Sequence, residues 1–357
     1  MEGVTATTPH IHAIGTAVPS HDIHRAFVDW ARPRIADPRE AKLFDRMANR
    51  AGIAHRWSVL PVGSDGGSPV DPGGFYAVDP HPGTGDRMAL YAAAAPDLSL
   101  AAIDDLAKRT DLSGITHIVV ASCTGFTAPG IDQIIARRLG LAPDVERLLV
   151  GFMGCYAAVA ALRSAYHIVR SDAAARVLVV CVELSTLHLQ AATAIEPLLA
   201  MLQFGDGAAA ALVSAAPHGL AIERPFATTL AESADLIRWD ITDRGFAMHL
   251  SGEVPGRIAA ALADPALATT ITGGMPVDAW AVHAGGRSIL DAVEGALHLP
   301  ATALAESRAV LADYGNMSSA TLMFVLARLF DRPVASGVAL AFGPGLAAEG
   351  FGFRSAG

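Results

Sequence analysis

The sequence predicts an α/β protein built as two similar halves around a buried, mostly parallel sheet. Three observations predict it. Apolar runs that read as strands alternate with segments of helical spacing. Those runs are apolar throughout rather than alternating, as in strands covered on both faces. The same order of elements then recurs in the second half of the chain.

Taken in order, the stretch at 61–86, "PVGSDGGSPVDPGGFYAVDPHPGTGD", reads as a surface excursion because it is dense in Gly, Pro and Asp. "ITHIVVASC" (115–123) is a continuous apolar strand, and "PGIDQIIARRLGL" (129–141) carries helical spacing. "VERLLVGFM" (145–153) is a strand, followed by a helix in "AAVAALRSAYHIVRSD". "ARVLVVCVE" (175–183), where Cys181 is a core residue, and "GAAAALVSAA" (207–216) are further strands. The second half repeats this with a strand in "VDAWAVHAGG" (277–286), a helix in "RSILDAVEGALHL" (287–299) and a strand in "GVALAFGPG" (337–345). In "ESRAVLADYGNMSSATLMFVLARLF" (306–330) the register of the repeat predicts an extended segment, a glycine, then a helix of small residues. The expected division is 1–216 and 217–357.

With 357 residues, 52% of them hydrophobic and only 17% charged, the chain can bury a large core and a subunit interface besides. No apolar run reaches membrane-span length unbroken. The first residues lack a basic region followed by an apolar stretch, so no signal peptide is expected. Three cysteines are too few for a disulfide framework, and none has zinc-ligand spacing with His, which fits a reducing cytoplasm and no metal. A net charge of −9 argues against nucleic-acid binding, so an anionic ligand needs a local basic patch. His10, His12, His21 and His24 have no matched carboxylates and read as surface residues.

In "GFMGCYAAVAALRSAYHIVR" (151–170) a cysteine stands where a strand gives way to a helix. A small buried hydrophobe accounts for it. So does a thiolate held at a helix N-terminus. The repeat bears on the choice. Laying "VGFMGCYAAVAAL" over "LADYGNMSSATLM" puts Cys155 on Asn316, and laying "HIVVASCTG" over "AWAVHAGG" puts Cys123 near His283. Cys123 and Cys155 are 32 residues apart, and His283 and Asn316 are 33 apart. Halves packed about a pseudo-twofold axis bring Cys155, His283 and Asn316 to one site. Such a trio is suited to acyl transfer, to water or to a carbon nucleophile. The histidine favours the thiolate, lowering the Cys155 pKa, and the His and Asn donors hold an oxyanion.

The segments "GCYAAVAALRSA", "QFGDGAAAALV", "VHAGGRSILDAVE", "DYGNMSSATL" and "FGPG" resemble, in order and context, the type III polyketide synthases, the chalcone-synthase-like enzymes. The resemblance covers about residues 10–355. It implies a thiolase fold, two βαβαβ halves in a five-layered α-β-α-β-α core, and a homodimer formed around "CTGFTAPG". It implies an acyltransferase that uses acyl-CoA and malonyl-CoA as substrates and needs no cofactor. Cys155 is then the nucleophile, and His283 and Asn316 bind the malonyl thioester carbonyl. Glu183 hydrogen-bonds near the site. Phe204 is a gatekeeper ring, and Met248 stands where the family has a second gatekeeper Phe. Gly343, Pro344 and Gly345 shape the cyclisation cavity. Arg46 and Arg50 match two phosphate-binding positions. The third falls on Leu43, with Lys42 beside it, and Arg56 completes the basic cluster.

Wall positions differ from plant-type members. Ala128 replaces a Met that crosses the dimer interface, and Cys123, Thr124 and Ser185 are also modest in size. Small side chains there predict an apolar tunnel toward the cavity floor for a fatty acyl starter. His188 and Trp239 narrow the elongation cavity and predict few extensions, hence alkylpyrones or alkylresorcinols. The rivals are a ketoacyl-ACP synthase III-like enzyme, a type III synthase primed by malonyl-CoA, a hydrolase, and a non-catalytic acyl-CoA binder.

Overall fold

The computed structural model describes residues 7–63 and 67–356. Nine strands form one mixed sheet in the order Ala279–Val282, Gly337–Gly343, Ala347–Ser355, Leu220–Thr229, His10–Ala17, Asp206–Ser214, Arg176–Leu184, His117–Ser122, Glu146–Gly151. The last three named strands run parallel, as do the first two, and the ladders between are antiparallel. The halves are stitched by the short antiparallel contact His10↔Ala221 and Ile11↔Leu220.

Every central strand is buried on both faces, and its residues divide by parity. Val119, Val179 and Ala211 of the first half meet Ala281, Ala339 and Phe351 of the second in one inner apolar cluster. The helices Ala157–Ser171 and Ser319–Leu329 fill that cluster. Ile118, Val180, Val338 and Leu340 point the other way, where Thr84–Ala107 covers the first half and Arg287–Ala296 the second. Helix, sheet, paired helices, sheet and helix make the five expected layers. Small residues at 157–161 and 319–321 let both inner helices lie close to the sheet.

Three expectations change. Residues 305–314 form a helix, Ala305–Tyr314, not an extended segment, so the second half lacks the counterpart of the edge strand Glu146–Gly151. The sequence "AESRAVLADY" buries Ser307, Val310 and Leu311, a helical spacing, and is rich in helix-forming residues. The 61–86 stretch is no plain surface excursion. Tyr76 is buried and donates to the Thr186 carbonyl at 2.9 Å, and Ser68–Val70 wall a cavity. The first helical turn of Thr84–Ala107 already lies within it. His10 and His12 are buried in the sheet, and His12 Nε2 shares a 2.8 Å hydrogen bond with Ser214. Burial explains why a strand at the sheet centre takes neutral imidazoles.

Candidate active site

Cys155 sits in a single helical turn, Gly154–Tyr156, between the strand Glu146–Gly151 and the helix Ala157–Ser171. The reversal there needs left-handed backbone, φ 57° at Phe152 and 78° at Gly154. A Cβ on Gly154 would lie 2.3 Å from Pro344, so only glycine lets the Gly343–Gly345 loop press on this turn. Beside it, Cys123 Sγ accepts the Gly154 N–H at 2.9 Å. The thiol of Cys155 is buried, and burial pushes it up to about 12. Hydrogen bonds from Ser318 and Asn316 oppose that rise, and the nearby Glu183 carboxyl adds to it. The expected low thiol pKa is therefore reversed, because desolvation outweighs the hydrogen bonds from Ser318 and Asn316.

Asn316 follows Gly315, whose φ of 68° ends the helix Ala305–Tyr314. Its Oδ1 accepts the Ser318 N–H at 2.8 Å, which leaves the NH₂ as donor. One hydrogen goes to the Gly285 carbonyl at 3.2 Å, two residues past His283, and the other faces the Cys155 thiol. His283 closes the strand Ala279–Val282, with its N–H bonded to the Leu340 carbonyl at 2.8 Å. Neither ring nitrogen has a partner, and burial lowers its pKa to about 3. A neutral imidazole with an unspent N–H, together with an amide N–H turned to the thiol, is an arrangement suited to holding an oxyanion.

Glu183 lies beneath the thiol, fully buried. It accepts from the Cys123 N–H at 3.0 Å, from Thr124 Oγ1 at 2.9 Å and from Ser319 Oγ at 2.5 Å. Burial raises it to about 7 despite these bonds. Ser318, the residue that contacts the thiol, holds a φ of 47°. Sequence reasoning missed it, although "NMSS" directly follows the amide.

Phe204 pairs by a β-bridge with Asn316 itself, and Gly205 N–H donates to the Asn316 carbonyl at 3.0 Å. The ring is thus placed against the amide by backbone. Trp239 and Met248 are cross-strand partners in the ribbon Ile237–Thr242 and Gly245–Leu250, and share its cavity face. His188 accepts the Phe246 N–H through Nδ1 at 3.0 Å, so Nε2 carries the proton and donates to the Thr124 carbonyl at 2.6 Å. Phe246 stacks on that imidazole with centroids 4.2 Å apart, a contact the sequence did not reveal. Trp239 Nε1 donates to the Cys123 carbonyl at 3.1 Å.

These contacts correct the expected floor. Thr124 turns its hydroxyl to Glu183 and accepts the Leu184 N–H, and His188, Trp239 and Phe246 pack beneath. Ala128 is exposed on the loop and is not among the residues lining the cavity that holds Phe204 and Met248. Gly343 and Pro344 abut Tyr156 and Gly154 rather than the cavity, and Gly345 O accepts from Ser233 at 3.4 Å. The cavity, only about 70 Å³, is lined by Ser185, His188, Phe204, Trp239 and Met248 and extends to Ala26 and Phe27 of the helix His24–Ala31.

Lys42, Arg46 and Arg50 repeat at four-residue spacing along the helix Pro38–Arg50 and share its exposed face. Among the described residues none of the three is ion-paired, and Arg287 joins them by donating to the Arg50 carbonyl at 3.2 Å. Arg56 does not belong to this patch. It is fully buried, stacks on Phe27, and Nη1 donates to the carbonyls of Met201 at 3.0 Å and Phe204 at 2.8 Å. It anchors the gate from within. Among the described residues no group of His, Cys, Asp or Glu can hold a metal ion.

The family model described as chalcone and stilbene synthases, N-terminal domain, matches residues 3–217, and its C-terminal counterpart matches 222–357. The chain is 32% identical over 372 residues to the alpha-pyrone synthesis polyketide synthase-like Pks18 of Mycobacterium tuberculosis, covering 97% of this chain and 91% of that protein. It superposes on the C-terminal type III polyketide synthase domain of Steely1, a type I/III hybrid from Dictyostelium. There the TM-score is 0.89 at 25% identity, over 98% of this chain and 100% of that one. PKS-I from the brown alga Ectocarpus siliculosus aligns with a TM-score of 0.85 at 28% identity, over 99% of this chain and 100% of that one.

Proposed function

Because the chain belongs to the chalcone and stilbene synthase family, and is a type III polyketide synthase that joins malonyl-CoA to an acyl-CoA, we propose that its starter is a medium- to long-chain fatty acyl-CoA and its product an alkylpyrone. The observation that supports the starter is the mainly apolar cavity that Phe204, Trp239 and Met248 help to line. The pyrone follows from the bulk of His188 and Trp239, which leaves room for few extensions, and agrees with the relative named for alpha-pyrone synthesis.

The proposed chemistry assigns each group a task. Cys155 Sγ attacks the starter thioester carbonyl as His283 takes the thiol proton. That proton leaves with the CoA sulfur. A neutral thiol beside a neutral imidazole makes this a coupled transfer rather than attack by a standing ion pair. Malonyl-CoA then places its thioester oxygen between His283 and the Asn316 N–H that acylation of the thiol releases. As CO₂ departs, the electron pair of the broken C–C bond moves onto that oxygen as an enolate, where both donors strengthen. The enolate carbon attacks the Cys155 thioester, Sγ leaves and takes a proton from solvent, and the lengthened chain, now on CoA, is passed back to Cys155 with loss of that CoA as its thiol before the next round. No cofactor or metal is needed, since decarboxylation itself supplies the carbanion. After a second extension the enol oxygen of the starter-derived carbonyl closes on the thioester carbon of the CoA-bound chain, forming the six-membered lactone and expelling CoA, which keeps the enol proton as its thiol.

Lys42, Arg46, Arg50 and Arg287 hold the CoA phosphates at the mouth. A homodimer is proposed through the edge strand Glu146–Gly151, whose Leu148 and Leu149 are exposed beside Phe126 and the Ala128 loop. No helix of the described chain is long and apolar enough to cross a membrane, and the use of CoA substrates supports a cytoplasmic reaction as part of this proposal. The test is incubation with malonyl-CoA and acyl-CoAs from acetyl to tetradecanoyl plus aromatic starters, read by mass spectrometry. Alkylpyrones from starters of eight carbons or more should dominate. Fastest turnover with aromatic starters, or with malonyl-CoA alone, defeats the reading.

A further inference from the structure

Phe204 and Asn316 are joined through their backbones. The Asn316 N–H donates to the Gln203 carbonyl at 2.8 Å, and the Gly205 N–H donates to the Asn316 carbonyl at 3.0 Å. Whatever fixes residues 203–206 therefore fixes the gate ring and the site's amide together. Gly205 leaves that turn no slack, since a Cβ there would meet the Tyr314 carbonyl at 2.8 Å. The turn ends at Asp206, the first residue of the strand Asp206–Ser214, whose side chain is fully buried. Three donors converge on it. Oδ1 accepts the Thr186 N–H at 2.8 Å, and Oδ2 accepts the Val59 N–H at 2.9 Å and the Thr186 hydroxyl at 2.6 Å. The Ser58 hydroxyl donates to Thr186 Oγ1 at 2.7 Å and accepts the Leu60 N–H at 3.1 Å. Only an ionised carboxyl gives every one of these protons an acceptor. A protonated one, turned to Thr186 Oγ1, would reverse both hydroxyls and leave the Ser58 proton no acceptor among these groups. Thr186 itself belongs to the turn Ser185–His188, which walls the cavity, and its carbonyl takes the Tyr76 hydroxyl at 2.9 Å.

We propose that Asp206 is a positioning residue for decarboxylation: its carboxylate ties the 203–206 turn to the 185–188 wall and to Val59, and so holds the Phe204 ring and the Asn316 amide in register at the malonyl thioester. The inference rests on the roles given above to Phe204 and Asn316. Asp206 acts through the backbone and has no contact with substrate. Loading of Cys155 does not call on this turn, because the thiol stands on the turn Gly154–Tyr156 and His283 follows the strand Ala279–Val282. Burial raises the carboxyl to about 7 against the pull of the Thr186 and Val59 donors and the Arg56 charge, so it is ionised at pH 8.5.

Asp206→Asn keeps the shape of the side chain but removes an acceptor that the Thr186 and Val59 donors share. Two half-reactions are measured at pH 8.5. Acylation of Cys155 by the acyl-CoA that the wild type uses fastest is followed by intact mass. Release of CO₂ from radiolabelled malonyl-CoA is counted per acylatable thiol. Asp206→Asn should lose little in acylation and roughly ten- to a hundredfold in decarboxylation, the scale of a small misplacement of reacting groups. Thr186→Val removes one donor alone and should show the same split in smaller measure, and Thr186→Ser should recover most of that loss. This pair decides the matter if Asp206→Asn does not fold. Losses of equal size in both half-reactions overturn the proposal, since a carboxyl that only stabilises the fold gives that result. Unchanged decarboxylation in Asp206→Asn and Thr186→Val, with Asn316→Ala slow, also overturns it while sparing the reading of Asn316. Undiminished decarboxylation in Asn316→Ala defeats that reading itself, and the inference with it.

Discussion

Glu183→Gln changes one buried carboxyl to an amide of the same shape and should alter how stability depends on pH. Glu183 is fully buried, and burial raises its pKa from 4.5 to about 7. In the unfolded chain it releases its proton near its ordinary value, whereas in the folded protein it keeps it to near neutrality. The stability contributed by that retained proton is complete below pH 4.5 and is lost as pH rises to 7. The difference of some 2.5 pH units corresponds to about 3 kcal/mol. Glutamine does not titrate, and its amide can accept from Cys123 N–H and Thr124 while donating to Ser319. The stability of the variant relative to wild type should therefore rise by about 3 kcal/mol between pH 4.5 and 7 and stay level above. Urea unfolding of both proteins at half-unit steps from pH 4.5 to 8, followed by tryptophan fluorescence, measures this. The comparison removes the parts due to Asp206, His12 and the other buried titrating groups, which both proteins share. A difference that is constant with pH would refute the reasoning, for it would mean that the carboxylate is solvated within the fold.

Alkylation of Cys155 by iodoacetamide should keep accelerating beyond pH 9, since burial holds the thiol near 12. A plateau reached below pH 8 would show that an imidazolium stabilises the thiolate after all. Asn316→Ala should still accept a starter on Cys155, seen by intact mass, yet decarboxylate malonyl-CoA on the order of 10²–10³ more slowly; absence of any acyl-enzyme in a folded sample contradicts that division. Arg46→Ala combined with Arg50→Ala should raise the KM for malonyl-CoA and weaken its dependence on salt, and a fall in kcat at unchanged KM would count against the phosphate patch. Gly154→Ala should lower Tm, because its φ of 78° and the 2.3 Å approach to Pro344 leave no place for a methyl group. An unchanged Tm would mean the Gly343–Gly345 loop moves aside at no cost.

Much of the architecture was readable because strands covered on both faces are continuous apolar runs. The segments at 117–122, 176–184 and 337–343 could be nothing else at that length. The register of the repeat also placed Asn316 beside the nucleophile, since both follow a left-handed glycine at the start of an inner helix. Where the repeat was carried too far it failed. Ala305–Tyr314 was expected to be extended because its counterpart is a strand, yet the local spacing of Ser307, Val310 and Leu311 is helical. Likewise "KLFDRMANRAGIAHRW" supplies four cations, but only those at positions 42, 46 and 50 share an exposed face. Arg56 lies beyond the helix end and turns inward.

The sequence alone determined the fold class and singled out Cys155, His283 and Asn316 as candidates, because each depends on residue type at a spacing set by local backbone geometry. Only the tertiary structure decided the charge states and the shape of the cavity. The Cys155 pKa follows from how completely the thiol is desolvated, against what Ser318, Asn316 and Glu183 contribute, and these residues lie far from it along the chain. The cavity depends on side chains from separate segments meeting in space: His188 against Phe246, Trp239 against the Cys123 carbonyl, Arg56 against Phe204. Small residues at Thr124 and Ala128 promise an opening only if nothing larger packs behind them. Here a histidine, a tryptophan and a phenylalanine do, because burying their rings and satisfying their N–H groups favours a closed floor over an empty tunnel.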